Sequence, residues 1–362
     1  MPIDTTSALA NAAAEKSDEA AIGELAKAYA AQRSAFAADR APSLKARRER
    51  LETLIGMMAA NRARIAEACK ADFGSHPQGA SDIIEVLGVI GRATYAIENL
   101  EAWMASSERA MNPDVFGTAH AEVRWQPKGV VGNIVPWNFP FDLSVGPMVD
   151  MLAAGNRVMV KPSEYTPACA VLLREMVTAS FDPTLVYVAV GEVELARAFS
   201  HTPFDHLLYT GSPEVGRHVM SAAALNLTPV TMELGGKCPA ILTAGSVTPR
   251  NVESIIGTKM VKNGQMCVSV DYCLVPREDM DRFAELDEAY VRGSVPGYSG
   301  TDDCTGIIST RHLDRLEGML AEAADRQARI VPLDDGDVDR KTRRMPISLV
   351  LDLACDRKSP PA

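Results

Sequence analysis

From Gly129 to Thr243, short aliphatic runs alternate with stretches of helical length. The first run is Gly129-Val130-Val131-Gly132-Asn133-Ile134-Val135. Asn156 to Pro162, Leu185 to Val190, His206 to Thr210, Pro229 to Glu233 and Pro239 to Thr243 follow. Strands alternating with helices at this spacing predict a doubly wound, parallel α/β sheet. Ligands of such sheets bind at the carboxyl ends of the strands. The residues that follow each run are therefore where chemistry is sought.

The opening third is helical and carries no evident chemistry. Residues 1–22 read as a loosely held tail. Leu25, Tyr29 and Phe36 recur at helix-compatible spacing. Ala41-Pro42-Ser43 then starts a long helix from Leu44 to Phe73, with Leu51, Leu54, Ile55 and Met58 on one face and Arg47, Arg48 and Arg50 on a solvated face. Gly74 stops it. A second helix is expected from Ser81 to Ser106. Beyond Val252 a helix reaches Lys262, Asp271 to Pro276 is a strand, a helix covers Thr310 to Ala328, and Ile347 to Leu353 is a last strand before Asp356 to Ala362.

The composition excludes several partners. The chain has 362 residues, 47% hydrophobic and 23% charged, enough for two or three domains with buried cores. Its net charge of −10 argues against nucleic acid or an anionic membrane as the main partner. Seven cysteines without paired spacing fit a reducing cytoplasm rather than a disulfide framework or a zinc site. The histidines show no ligand spacing, so no metal is expected. There is no export signal and no membrane-spanning run.

Five short segments carry chemistry. Gly211-Ser212-x-x-Val215-Gly216 lies where a strand enters a helix, a setting that suits a phosphate or merely tight packing. Lys161 and Glu164 end an earlier strand and could bind two ribose hydroxyls or form a surface ion pair. Met232-Glu233-Leu234-Gly235-Gly236-Lys237 places a carboxylate at a strand end, where burial would suit it to general-base work; a carboxylate capping the glycine turn is the alternative. Asn138, within Pro136-Trp137-Asn138-Phe139-Pro140, offers a rigid NH₂ donor for an oxyanion or is a turn asparagine. Cys267, in Asn263-Gly264-Gln265-Met266-Cys267-Val268, is a candidate thiolate nucleophile or a small buried hydrophobe.

Together, in this order from Pro136 to Cys267, the segments resemble the NAD(P)-dependent aldehyde dehydrogenase superfamily. Glu233 and Cys267 stand 34 residues apart, as in that family. Phe204 to Ser212 and Cys267 to Tyr272 most resemble the class 3-type branch and its bacterial coniferyl-aldehyde dehydrogenases. The resemblance implies an N-terminal helical region over 1–121, a Rossmann-like NAD(P)-binding domain over 122–236 and a catalytic domain over 237–362. It implies attack by Cys267 on an aldehyde, an oxyanion held by Asn138 and the Cys267 N–H, and thioester hydrolysis with Glu233 as base. Lys161 and Glu164 would meet the adenosine ribose of NAD or NADP. Gly211, Ser212, Val215 and Gly216 would meet the pyrophosphate, beside Pro136 and Trp137. Glu164 leans toward NAD, because an acid at the 2′ position repels a 2′-phosphate.

The sequence also departs from that family. Members carry a Glu-x-Phe-Gly-Pro segment, whose glutamate binds the nicotinamide ribose, and an oligomerisation strand; neither is found here. The chain is therefore expected to be truncated at its C-terminal end, and the homodimer of full-length relatives is in doubt for it. Met266 stands where Thr or another small residue is frequent, which would narrow the substrate mouth. Two readings stand beside acid formation. Coenzyme A could take the acyl group, although acylating relatives commonly lack the base at Glu233. A non-catalytic, NAD-binding remnant is the other.

Overall fold

The computed structural model describes residues 5–352, with side chains from Asp18 onward. Contacts divide the chain into two compact units. Met1–Ile65 and Ile83–Glu233 form one, and Ala66–Asp82 and Leu234–Ala362 the other.

The first unit is built on five strands: β1 (Val130–Ile134), β2 (Arg157–Lys161), β3 (Val186–Val188), β4 (His206–Gly211) and β5 (Val230–Leu234). Their order in the sheet is β3-β2-β1-β4-β5. β1 pairs in parallel with β2 and β4, and β2 with β3. The chain winds outward from β1 to β3, then returns to lay β4 on the other side of β1. The order thus reverses between β1 and β4, the place where such sheets open a ligand crevice. β1 and β2 are buried along their whole length, as strands covered on both faces must be. Val130, Ile134, Met159, Leu207 and Phe204 form the core here, joined by Leu25 of the first helix and by Leu195 and Phe199.

That first helix is the main departure from expectation. It is continuous from Thr5 to Ala38, so the tail reading fails for its described part; residues 1–4 lie outside the described residues. Alanines give it little sequence contrast. Specific contacts fix it instead: the Asp18 carboxylate accepts from the N–H groups of Glu192 (2.8 Å) and Leu195 (3.1 Å), at the start of the helix Val193–Ser200.

The long helix expected after Ser43 is two helices, Leu44–Ala60 and Arg62–Phe73. Ser43 caps the first, its hydroxyl accepting from the Ala46 N–H at 3.2 Å. Asn61 breaks the run by turning its amide back onto the Met57 carbonyl at 2.9 Å. Arg47 is buried, not solvated; it donates to the carbonyls of Pro42 and Ala153, each at 3.0 Å. The next helical run reaches Met104, and its segment Ser81–Leu87 is π-helical before Gly88–Met104 resumes the α form.

The second unit holds two small sheets. β6 (Cys238–Ile241) runs parallel to β7 (Val270–Leu274), and β8 (Arg329–Pro332) antiparallel to β9 (Ser348–Leu351). The helices Pro249–Met260, Met280–Ser294 and Thr310–Asp325 connect them. Leu242, Val252 and Phe283 centre one core cluster, and Ile256, Val291, Tyr298 and Leu333 another. The expected segment Asp356 to Ala362 lies outside the described residues. No helix among the described residues is long and apolar enough to cross a membrane.

Asp287, on Met280–Ser294, is 1% exposed, and neither carboxylate oxygen has a hydrogen-bond partner. Burial pushes its pKa up to about 7, because the charged form loses its hydration. The folded chain therefore keeps a proton that the unfolded chain releases near about pH 4. Its contribution lowers stability progressively between about pH 4 and about pH 7, and is constant above that window. Asp287→Asn is expected to stabilise the chain at about pH 8 by up to about 4 kcal/mol and to change little at about pH 4. Urea unfolding midpoints at the two pH values check this; an equal shift at both would refute it.

Candidate active site

Three turns leave the carboxyl ends of adjacent strands in the first unit. β1 runs into Pro136, Trp137 and Asn138, which are half-buried, and then into buried Phe139 and Pro140. The turn is pinned at both ends. Asn133 within β1 donates its amide to the Leu143 carbonyl at 3.1 Å. The buried Glu85 carboxylate accepts from the N–H groups of Phe141 (3.0 Å) and Asp142 (2.8 Å), at the start of the helix Asp142–Ala153. A carboxylate on those N–H groups satisfies donors the helix cannot, and it complements the helix dipole. Asn138 is thereby presented on a backbone with little freedom.

β2 ends at Lys161, whose side chain is 1% exposed. Its ammonium donates to the Pro162 carbonyl at 2.7 Å and lies 3.9 Å from the Glu164 carboxylate. Burial pushes the Lys161 pKa down, while Glu164, Asp18 and Glu192 oppose that shift. An ammonium carries three N–H donors. One of them meets Pro162, which leaves directions that suit ligand hydroxyls beside the Glu164 oxygens.

β4 ends at Gly211, and Ser212 caps the helix Pro213–Ala224. The Ser212 hydroxyl accepts from the Val215 N–H at 3.2 Å, and its carbonyl accepts from the Gly216 N–H at 2.9 Å. A Cβ on Gly211 would sit 2.3 Å from the Tyr209 hydroxyl, so only glycine fits here. The Tyr209 hydroxyl itself donates to the Ser212 carbonyl at 3.1 Å. A capped helix start, a buried ammonium and a carboxylate at the ends of β2 and β4 form a donor set that fits a nucleotide's phosphate and ribose.

Glu233 lies on β5, at the edge of the sheet, and it is exposed. The expected burial is therefore incorrect. Half-buried Val230 and Met232 alternate with exposed Thr231 and Glu233, the pattern of a strand covered on one face.

Cys267 belongs to the second unit. Lys262, Asn263 and Gly264 lead to it with φ of 51°, 52° and 77°, three successive residues in the left-handed region. Such strain persists only where contacts impose it. The Lys262 ammonium lies 4.6 Å from the centre of the Phe73 ring. The Asn263 amide donates to the Met345 carbonyl at 3.1 Å. Gln265 donates to the Gly306 carbonyl at 2.9 Å and accepts from the Ile308 N–H at 3.0 Å. A Cβ on Gly264 would stand 2.9 Å from Lys259 Cε. The turn Met266–Ser269 then closes with Ser269 N–H on the Met266 carbonyl at 3.3 Å, and Cys267 at its tip is exposed, not buried.

A cavity of about 590 Å³ in the same unit is lined by Leu316, Met319, Leu320, Tyr272 and Ile347, with Lys237 at its edge; Cys267 is not among its lining residues. Two residues beside the motifs escaped the sequence reading. Glu85 had no local signal, because its partners are 56 and 57 residues away. Cys238 directly follows Gly235-Gly236-Lys237, and its thiol reaches the Cys267 carbonyl at 3.4 Å.

Comparison with known proteins supplies a family. The profile described as "Aldehyde dehydrogenase family" matches residues 3–345. The chain is 40% identical over 332 residues to a probable coniferyl aldehyde dehydrogenase of Caulobacter vibrioides, covering 90% of this chain and 68% of that protein. It is 38% identical over 292 residues to the coniferyl aldehyde dehydrogenase of a Pseudomonas strain, covering 81% of this chain and 60% of that protein. Among solved structures, substrate-bound AldH of Staphylococcus aureus aligns with a TM-score of 0.85 at 26% identity, over 92% of this chain and 72% of that one. A Mycobacterium tuberculosis aldehyde dehydrogenase complexed with NAD⁺ aligns with a TM-score of 0.77 at 26% identity, over 92% and 69%.

Proposed function

The chain belongs to the aldehyde dehydrogenase family, and on that premise we propose that it oxidises an aldehyde to the carboxylic acid with NAD or NADP. The substrate class is aromatic and coniferyl-aldehyde-like, or medium- to long-chain aliphatic. The observation that carries this reading is the family match across residues 3–345. The strand-end geometry supports it.

Lys161 and Glu164 would hold the adenosine ribose hydroxyls. The first turn of Pro213–Ala224, with Gly211, Ser212, Val215 and Gly216, would hold the pyrophosphate through backbone N–H groups and the helix dipole. Pro136 and Trp137 would flank the same crevice. Glu164 favours NAD, since its charge opposes a 2′-phosphate. NAD bound there supplies the hydride acceptor.

In the proposed reaction the Cys267 thiolate attacks the aldehyde carbon and forms a thiohemiacetal. The Asn138 amide and the Cys267 N–H stabilise its oxyanion. Loss of hydride leaves a thioester on Cys267. Glu233 takes a proton from water as the oxygen attacks the thioester carbon. The acid departs and the thiolate is restored. Exposure of Glu233 is compatible with this role, because the base must reach solvent to gain water and lose its proton.

An absorbance assay of NADH and NADPH formation, run with a panel of aromatic and aliphatic aldehydes, tests the proposal. Acid and NADH are expected in equal amounts, with the fastest turnover on an aromatic aldehyde. Acyl-CoA formed in preference to acid when coenzyme A is added would reassign the acyl acceptor. No reduced cofactor with any aldehyde would overturn the proposal.

A further inference from the structure

Cys238 opens β6, and Val270, its register partner, opens β7. The ladder shifts register immediately after Cys238, between Cys238 and Pro239. The Met266–Ser269 turn brings the chain back into β7, and its tip passes over Cys238. The Cys238 thiol donates to the carbonyl oxygen of Cys267 at 3.4 Å. Cys267 is exposed and Cys238 half-buried, so a small oxidant reaches the first, while the second waits against its backbone.

A carbonyl oxygen and the sulfur of the same cysteine are separated by only three atoms. A disulfide needs Cβ atoms about 3.5–4.5 Å apart and sulfurs about 2 Å apart. Rotation of the Cys267 side chain at an open turn tip is enough to bring its sulfur toward Cys238.

We propose that Cys238 is a resolving cysteine for Cys267, and that a hydroperoxide oxidant converts the pair into a reversible disulfide. The Cys267 thiolate attacks the distal peroxide oxygen. The O–O bond breaks, one oxygen leaves as water after protonation, and Cys267 becomes a sulfenic acid. The Cys238 thiolate then attacks the Cys267 sulfur and displaces hydroxide, which leaves as a second water. Two thiols are oxidised by two electrons and one hydrogen peroxide is reduced to two waters. The disulfide blocks further oxidation of Cys267, and a dithiol reductant restores both thiols.

Cys273 is the competing partner on the same strand pair. Burial pushes its thiol up to about 11, so it stays protonated where Cys238 is placed to attack.

The test treats the reduced full chain with hydrogen peroxide, followed by non-reducing peptide mapping and intact mass. The expected product is a Cys238–Cys267 cross-linked peptide lighter by two hydrogens, which dithiothreitol returns to the thiols. In Cys238→Ser, basal turnover is expected to be unchanged. Its Cys267 should gain two oxygens as sulfinate at least about tenfold more than in the parent, and dithiothreitol should not reverse this. A parent chain that forms Cys267 sulfinate and no cross-linked peptide would overturn the proposal. A cross-link from Cys267 to Cys273 instead would do the same. The mapping stands without any activity, so its failure is distinct from failure of the proposed reaction; only the recovery of turnover rests on that reading.

Discussion

Cys267→Ala is expected to lower NADH formation from an aromatic aldehyde by at least about a thousandfold, because no other group can carry the covalent step. The adjoining loop should survive the change. Its shape is held by Lys262 over Phe73, by Asn263 on Met345 and by Gln265 on Gly306 and Ile308, none of which involves the Cys267 side chain. NAD affinity should be retained, since the proposed cofactor residues lie on β1, β2 and β4. Turnover is followed at the NADH absorbance and NAD binding by calorimetry. Undiminished turnover in the variant would refute the covalent mechanism, and loss of NAD binding would show that the substitution had damaged more than the thiol.

Glu233→Gln should separate the two halves of the reaction. Acylation of Cys267 does not need the base that activates water. One NADH per chain is therefore expected as a rapid burst. The steady rate after it should fall by about a hundred- to ten-thousandfold, the usual worth of a general base. The stalled chain should carry an acyl group on Cys267, visible in its intact mass. Glu233 is exposed at an edge strand, so glutamine there should leave stability nearly unchanged. A variant that lacks the burst, or that keeps the parental steady rate, would remove Glu233 from the hydrolytic role.

The sheet was legible because its strands are short, apolar and separated by helices of adequate length. β1 and β2 are buried end to end, and the sequence shows it in Val130-Val131 and Val158-Met159-Val160. Turn chemistry was legible too: Ser43, Ser212 and Gly74 stand where a helix starts or stops. What escaped the reading depends on residues far apart in the chain. The first helix looked like a tail because its alanines hide which face is covered. Arg47 looked solvated because arginines usually are, but carbonyls of Pro42 and Ala153 wait for it. The strand Arg329–Pro332 was missed because it begins with a charge and ends in proline. Glu233 looked buried because Val230 and Met232 precede it, and the sequence does not say that this strand is last in the sheet. Motif residues were found by their chemistry; Glu85 and Cys238, which act on other residues' backbones, were not.

The π-helical segment Ser81–Leu87 has a consequence for how this chain can change in length. A π turn holds one more residue than an α turn. Deleting a residue near Glu85 would let the segment relax into an ordinary α-helix. Everything after it would then be rotated by about 100° relative to what precedes it. Val89, Ala93, Ala96 and Leu100, now buried, cannot keep their places through such a turn, nor can Glu85 stay on the N–H groups of Phe141 and Asp142. The segment should accept exchange of its exposed residues Ile83 and Leu87, yet reject any indel. A seven-residue stretch far from Asn138 in sequence thus counts residues on its behalf.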